Sequence, residues 1–187
     1  FMDPFYWLFD LYSKSIGDYP FATANGFNLW TLLGGQIQED TLPFMGLTYS
    51  EWGYILLAIG LAYAFICLIK GKATVYAITY FSFLVLFNAF FFMTRMHERY
   101  LLAAVIFAAA ACVYDRRHLF TAVLLSICVF CNQLYLYIIS FEERYWLDRW
   151  DGIALFFAGL TLFTYVLAVC QGYKAFICHK VQGDKNG

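Results

Sequence analysis

The 187 residues are 63% hydrophobic and 22% aromatic but only 13% charged, about half the ~25% charge of an average soluble domain. With mean hydropathy at +0.64 and the charges gathered between long apolar runs, the composition excludes an ordinary globular core and describes a polytopic membrane protein. A formal net charge of −1 gives no footing for nucleic-acid binding.

Phe1 precedes Met2, and no basic stretch, apolar run and small-residue cleavage site open the chain, so no signal peptide is read. The sequence is read as the C-terminal part of a longer protein, with Met2 as a true start being the alternative. Residues 1–50 form the only long non-spanning portion, expected to carry short interfacial or amphipathic helices. Pro4 to Tyr12 is aromatic-rich but interrupted by Asp10 and too short to span, and such aromatics favour the headgroup level.

After a turn at Tyr19-Pro20-Phe21, the segment Ala22 to Gly35 places Phe27, Trp30 and Leu33 at helical steps. Gly34-Gly35 stops that helix, because glycine readily adopts the left-handed conformation at a helix end. Gln36 to Leu47 reads as a polar loop with Glu39, Asp40 and Pro43. Thr48 to Glu51 fits a capping box, which starts the next helix near Tyr49.

About five spans follow, near 51–69, 73–93, 100–114, 119–141 and 152–170, against a need of about 20 apolar residues each. The third is short and is expected to borrow a turn from each flank. The fold class is therefore all-α, a transmembrane helical bundle with a membrane domain at 51–173 and a tail at 174–187. Nearly all of the six cysteines lie inside apolar runs or at their ends, where they act as small hydrophobes. Cys128 and Cys131 have redox-motif spacing, yet fall inside a span with no strand before them. No metal or other cofactor is called for.

Lysine and arginine accumulate in cytoplasmic loops. One side of the bundle receives Lys70, Lys72, Arg116, Arg117, Lys174, Lys180 and Lys185, and the other Lys14, Arg95, Arg99, Arg144 and Arg149. The first side is assigned to the cytoplasm, with the C-terminus. Residues 1–50, the 94–100 loop and the 142–151 loop are then exoplasmic, together with most of the acids.

The stretch Thr94-Arg95-Met96-His97-Glu98-Arg99-Tyr100 separates two of the most apolar segments, and charge at the rim of lipid is costly. If the preceding helix continues through it, Asn88, Arg95 and Arg99 share one stripe. Such donors suit a lipid-linked phosphate, because guanidinium grips phosphate oxygens bidentately and stays charged. The competing reading is that Arg95 and Arg99 snorkel and pair with Glu98. Asn25, Asn28 and Trp30 have the same two sides: amides facing a sugar, or helix caps. The acids of the 142–151 loop suit general acid/base work or a solvated hairpin with an aromatic belt. Asn132 and Gln133, mid-span, are expected to hydrogen-bond between helices.

The segments Ala24 to Gly34 and Thr94 to Leu101 together resemble the C-terminal half of GT-C polytopic glycosyltransferases, most nearly bacterial mannosyltransferases related to the second GPI mannosyltransferase. The His-Glu-basic triplet is also similar to that of dolichyl-phosphate-glucose-dependent glucosyltransferases. The resemblance covers most of residues 20–115 and not the last two spans. It implies an inverting transfer of mannose or another hexose from a polyprenyl-phosphate donor to an exoplasmic glycan, lipid or protein acceptor, in a bacterial plasma membrane. Carried over by residue, it implies that Arg95, His97 and Arg99 bind the donor phosphate, that Glu98 and Tyr100 support them, and that Asn25, Asn28 and Trp30 meet sugar or acceptor. The catalytic acid of that family lies in a first exoplasmic loop with no equivalent here, so the catalytic residue is left open. The competing class is a transporter or flippase of lipid-linked sugars. Against it, no internal repeat is found, and Pro4, Pro20 and Pro43 all precede the spans.

Overall fold

A computed structural model describes residues 5–9 and 19–178. Lys14 and the tail cations Lys180 and Lys185 lie outside these residues, as does most of the Pro4–Tyr12 segment except 5–9, which form a helical turn, α1. Beyond it come α2 (Leu29–Leu32), a two-stranded hairpin β1 (Pro43–Phe44) and β2 (Leu47–Thr48), then α3 (Tyr49–Lys70), α4 (Val75–Phe92), α5 (Leu102–Tyr114), α6 (His118–Ser140) and α7 (Gly152–Gly172). The hairpin turns through Met45 and Gly46, both at positive φ, the conformation that matches the twist of paired strands.

The starts of the long helices are fixed locally. The Thr48 hydroxyl accepts from the Glu51 N–H while the Glu51 carboxylate accepts from the Thr48 N–H, closing the expected capping box ahead of α3. Thr74 caps α4 and Asp151 caps α7 in the same way through their side-chain oxygens.

The bundle is all-α, and α3, α4, α6 and α7 are each long and apolar enough to cross a membrane. Helix α5 is not. Its 13 residues rise about 20 Å, against ~30 Å of bilayer hydrocarbon. It borrows a turn only from its N-terminal flank, where the N–H groups of Leu102 and Ala104 donate to the carbonyls of Arg99 and Leu101. At the other end Asp115 is extended and stops it. The last span also differs from expectation. The sequence reading ends it at Cys170 and begins a tail at Lys174, but α7 runs on through a π-helical stretch, Tyr173–Cys178. Burial of Phe176 against Tyr76, Tyr80 and Gly71 holds that extension on the bundle.

Consecutive helices pack side by side, and α4 also meets α7. Helix α4 is the most enclosed, with Tyr80, Phe83, Leu84, Phe87, Phe90 and Phe91 all buried. Against it α5 sets Ala104, Ala108 and Ala111, small residues that let two backbones approach where lipid offers no hydrophobic drive. Helix α3 comes close at Gly60, beside Asn88, whose Oδ1 accepts from the Tyr165 hydroxyl of α7 at 2.7 Å. At the end holding the 71–74 and 115–117 loops, the His118 ring sits between the Tyr76 hydroxyl at 2.5 Å and Gln171 Oε1 at 3.0 Å.

A Cβ on Gly60 would collide with Asn88 Oδ1, an oxygen already pinned by Tyr165. Gly60→Ala is therefore expected to cost about 1–3 kcal/mol through overpacking, read as a lowered thermal midpoint in detergent. An unchanged midpoint would show that Asn88 moves aside freely.

Candidate functional site

Residues 19–48 fold over one end of the bundle, the end where α4 stops and α5 begins. With little regular structure of their own, they satisfy their backbone groups by crossing to other segments. The Arg95 N–H donates to the Phe21 carbonyl at 2.9 Å, the Ala24 N–H to the Met96 carbonyl, and the Ala22 N–H to the Gln38 carbonyl.

The α4 helix does not continue into the charged stretch. Met93 is extended and Arg95 has φ +61°, so Asn88, Arg95 and Arg99 do not share a stripe. Asn88 is buried within the bundle, while the two arginines separate sharply in role. Arg95 turns back on Asp40, its Nε 2.8 Å from Oδ2 and its Nη2 3.4 Å from Oδ1. The same carboxylate accepts from the Thr94 hydroxyl at 3.1 Å. Asp40 is almost fully buried and Arg95 about one-third exposed. This hydrogen-bonded carboxylate holds the guanidinium above its already high ordinary value.

Arg99 is the outward cation. Its side chain is 65% exposed, lies over the Tyr100 ring at 5.7 Å and has Glu98 at 3.6 Å. His97 lies beneath, mostly covered, edge-on to Tyr19 at 5.0 Å and to Tyr100 at 5.5 Å. Burial lowers its pKa below the ordinary histidine value, with Glu98 opposing and Arg99 adding to the shift. Neutral at pH 7, His97 offers one hydrogen-bond donor and one acceptor rather than a second positive charge. Tyr19 continues into Trp146 at 5.8 Å, so an aromatic wall from the first segment and the 142–151 loop stands beside His97.

Asn25, Asn28 and Trp30 do not front this space. Asn25 is buried at φ +63°, a conformation asparagine tolerates better than most residues. Its Oδ1 accepts from Gln36 and from the Leu147 N–H, and its Nδ2 donates to the Tyr145 carbonyl. Asn28 caps α2 by accepting from the N–H groups of Trp30 and Thr31, and its Nδ2 donates to the Phe90 carbonyl. The Trp30 indole N–H donates to the Phe92 carbonyl at 2.8 Å. These groups are spent inside the chain as fasteners, and Asn28 takes the helix-cap alternative. Asn132 is likewise redirected. It joins no second helix but donates to the Asn25 carbonyl and accepts from the Phe27 N–H.

The 142–151 loop clasps the same segment. The Arg149 Nε donates to the Gly34 carbonyl at 2.6 Å, and Trp150 packs on Gly34. Asp151 is occupied in capping α7 and accepting from the Tyr135 hydroxyl. Glu142, Glu143 and Asp148 are exposed, with Arg144 within 3.6 Å of Glu142 and 3.4 Å of Asp148. Among the described residues no three His, Cys, Asp or Glu side chains converge as metal ligands.

Sequence reasoning missed Asp40 as the partner of Arg95, and Tyr19 and Trp146 as the wall. A buried acid in a polar loop and aromatics far apart in sequence carry no local signal of their partners. Compared with family models, curated proteins and solved structures, the chain has no match.

Two measurements test the Asp40–Arg95 pair and the state of His97. Asp40→Asn and Arg95→Gln are each expected to lower stability by about 1–3 kcal/mol, a buried-pair cost discounted for the exposure of Arg95. The double variant should lose less than the sum, and strict additivity would sink the coupling. His97 supplies a pH dependence. Its folded pKa lies below the unfolded value, so the unfolded chain binds the proton more readily and stability falls as pH drops below about 6.5. His97→Gln should flatten that part of the profile.

Proposed function

We propose that this chain forms the donor-phosphate end of a membrane glycosyltransferase. It would move mannose or another hexose from a polyprenyl-phosphate carrier to an acceptor on the exoplasmic side of a bacterial plasma membrane. The observation that carries this reading is the exposed Arg99 guanidinium over Tyr100, close to a neutral His97 that packs on Tyr19 and, through it, Trp146, at one end of a bundle of membrane-crossing helices.

In an inverting transfer the acceptor oxygen attacks the anomeric carbon and the carbon–oxygen bond to the lipid phosphate breaks. The electron pair of that bond goes to the departing phosphate, so negative charge grows there. A cation fixed in place before the reaction stabilises that charge most where water is scarce. Arg99 supplies the charge, held from behind by Glu98 and the Tyr100 ring. His97 supplies a neutral donor to a phosphate oxygen. The aromatic wall offers the apolar face against which a hexose or the first isoprene unit packs. Arg95 takes a supporting part, because its guanidinium neutralises Asp40 beneath the site.

Binding of undecaprenyl phosphate tests the reading directly. Arg99→Gln is expected to weaken it about tenfold, the worth of one charge-assisted hydrogen bond at ~1.5 kcal/mol. Arg144→Gln removes a guanidinium already paired with Glu142 and Asp148 and should leave binding near wild type. Equal small effects would make Arg99 a snorkelling side chain.

A further inference from the structure

The opposite end of the bundle holds a different kind of site. Short α5 and the first three turns of α6 bound an open groove of about 500 Å³, walled by Ala109 and Cys112 on one side and Leu119, Val123, Ile127 and Phe130 on the other. The hydroxyl of Ser126, also on the wall, donates to the Ala122 carbonyl, and the Cys112 thiol to the Ala108 carbonyl. The wall thus spends its side-chain polar groups internally and offers hydrocarbon to an occupant.

One end of the groove, at Leu119, adjoins the α5–α6 loop. Leu119 donates its N–H to the Arg116 carbonyl. Arg117 in that loop is bound to Asp115 at 2.7 Å, so the pair cancels. Arg116 is exposed and has no carboxylate partner among the described residues. Lys174 lies close by, lining a small cleft with Asp115 and Arg117. Lys70 and Lys72 occupy the same end, since the loop they flank packs through Gly71 on Phe176. Among the described residues Asp115 is the one acid at this end.

We propose that this groove binds one acyl chain of an anionic glycerophospholipid, with its phosphate at Arg116. The chain lies along the small Ala109 and Cys112 side chains of α5, against the larger apolar side chains of α6. The headgroup meets uncompensated positive charge where the tail emerges, and juxtamembrane basic residues favour anionic over zwitterionic lipid. The two requirements are met within four residues of chain, from Arg116 to Leu119. This site lies at the other end of the bundle from Arg99 and is independent of the transferase reading.

Native mass spectrometry of the full chain tests it, after exchange into an equal mixture of phosphatidylglycerol and phosphatidylcholine with identical tails. Retention of phosphatidylglycerol over phosphatidylcholine is expected, and Arg116→Gln should reduce the preference roughly fivefold, the factor one basic side chain contributes near an anionic headgroup. Arg144→Gln, a charge-matched change at the other end, should keep it. Val123→Trp, filling the groove, should lower retention of both lipids. Phosphatidylglycerol with a photoreactive tail should label the peptide spanning 119–130, a readout that requires no variant. Equal retention of the two lipids, an unchanged preference in Arg116→Gln, or labelling elsewhere only would overturn the proposal.

Discussion

The carboxylate of Asp40 is the point on which one end of this molecule turns. An irregular segment laid across a helical bundle carries backbone and side-chain groups that a membrane environment will not satisfy, so they must find partners within the protein. Asp40 draws three donors from Thr94 and Arg95, and its own backbone ties to Pro20 and Ser50. A single residue thereby joins the first segment, the start of α3 and the α4–α5 connection. Asn25 does the same on the other flank, joining Gln36, Tyr145, Leu147 and Asn132. Buried polar hubs of this kind are costly when half satisfied and rigid when complete. That rigidity is the floor on which His97, Arg99 and Tyr100 stand.

The two arginines of one short stretch illustrate how position rather than residue type assigns a role. Both carry a permanent charge and the same fork of donors. The left-handed turn at Arg95 aims its side chain inward, where it neutralises an acid. Four residues on, Arg99 projects outward over a tyrosine, weakly held by Glu98 and open to an incoming anion. An inner cation that is already paired costs little to keep, and an outer one that is only loosely paired is available to bind.

What could be read from the sequence was what is encoded locally. Capping at Thr48 and Glu51, the apolar spans and the inadequate length around 102–114 all depend on neighbours a few residues apart, and the structure has them. The helical stripe through Asn88, Arg95 and Arg99 failed because no local rule announces that the chain leaves the helix at Met93 and reverses at Arg95. The partners of Asn25, Asn28 and Trp30 were hidden for a different reason. Asn25 bonds Tyr145 across 120 residues and Asn28 bonds Phe90 across 62, so an amide that looks free in sequence is spoken for in space. The π-helical extension to Cys178 was equally non-local, resting on Tyr76 and Tyr80 of another helix.

The two ends of the bundle follow opposite designs, and the short α5 links them. At the Arg99 end, α5 gains a turn of looser i→i−3 hydrogen bonds, which carries the chain up to the rim without a break. At the Arg116 end it stops abruptly at extended Asp115, level with the starts of α4 and α6, since Tyr76 stacks on Tyr114 and meets His118. A bilayer meeting too short a helix must thin, or the deficit must be filled. The neighbouring helices are of full length and pin the local thickness, so thinning around α5 alone would expose the apolar flanks of α4 and α6. Filling the deficit with hydrocarbon leaves those flanks covered. Hydrocarbon seated in the α5–α6 groove brings its headgroup beside Arg116, while the acid-rich end keeps its rigid floor.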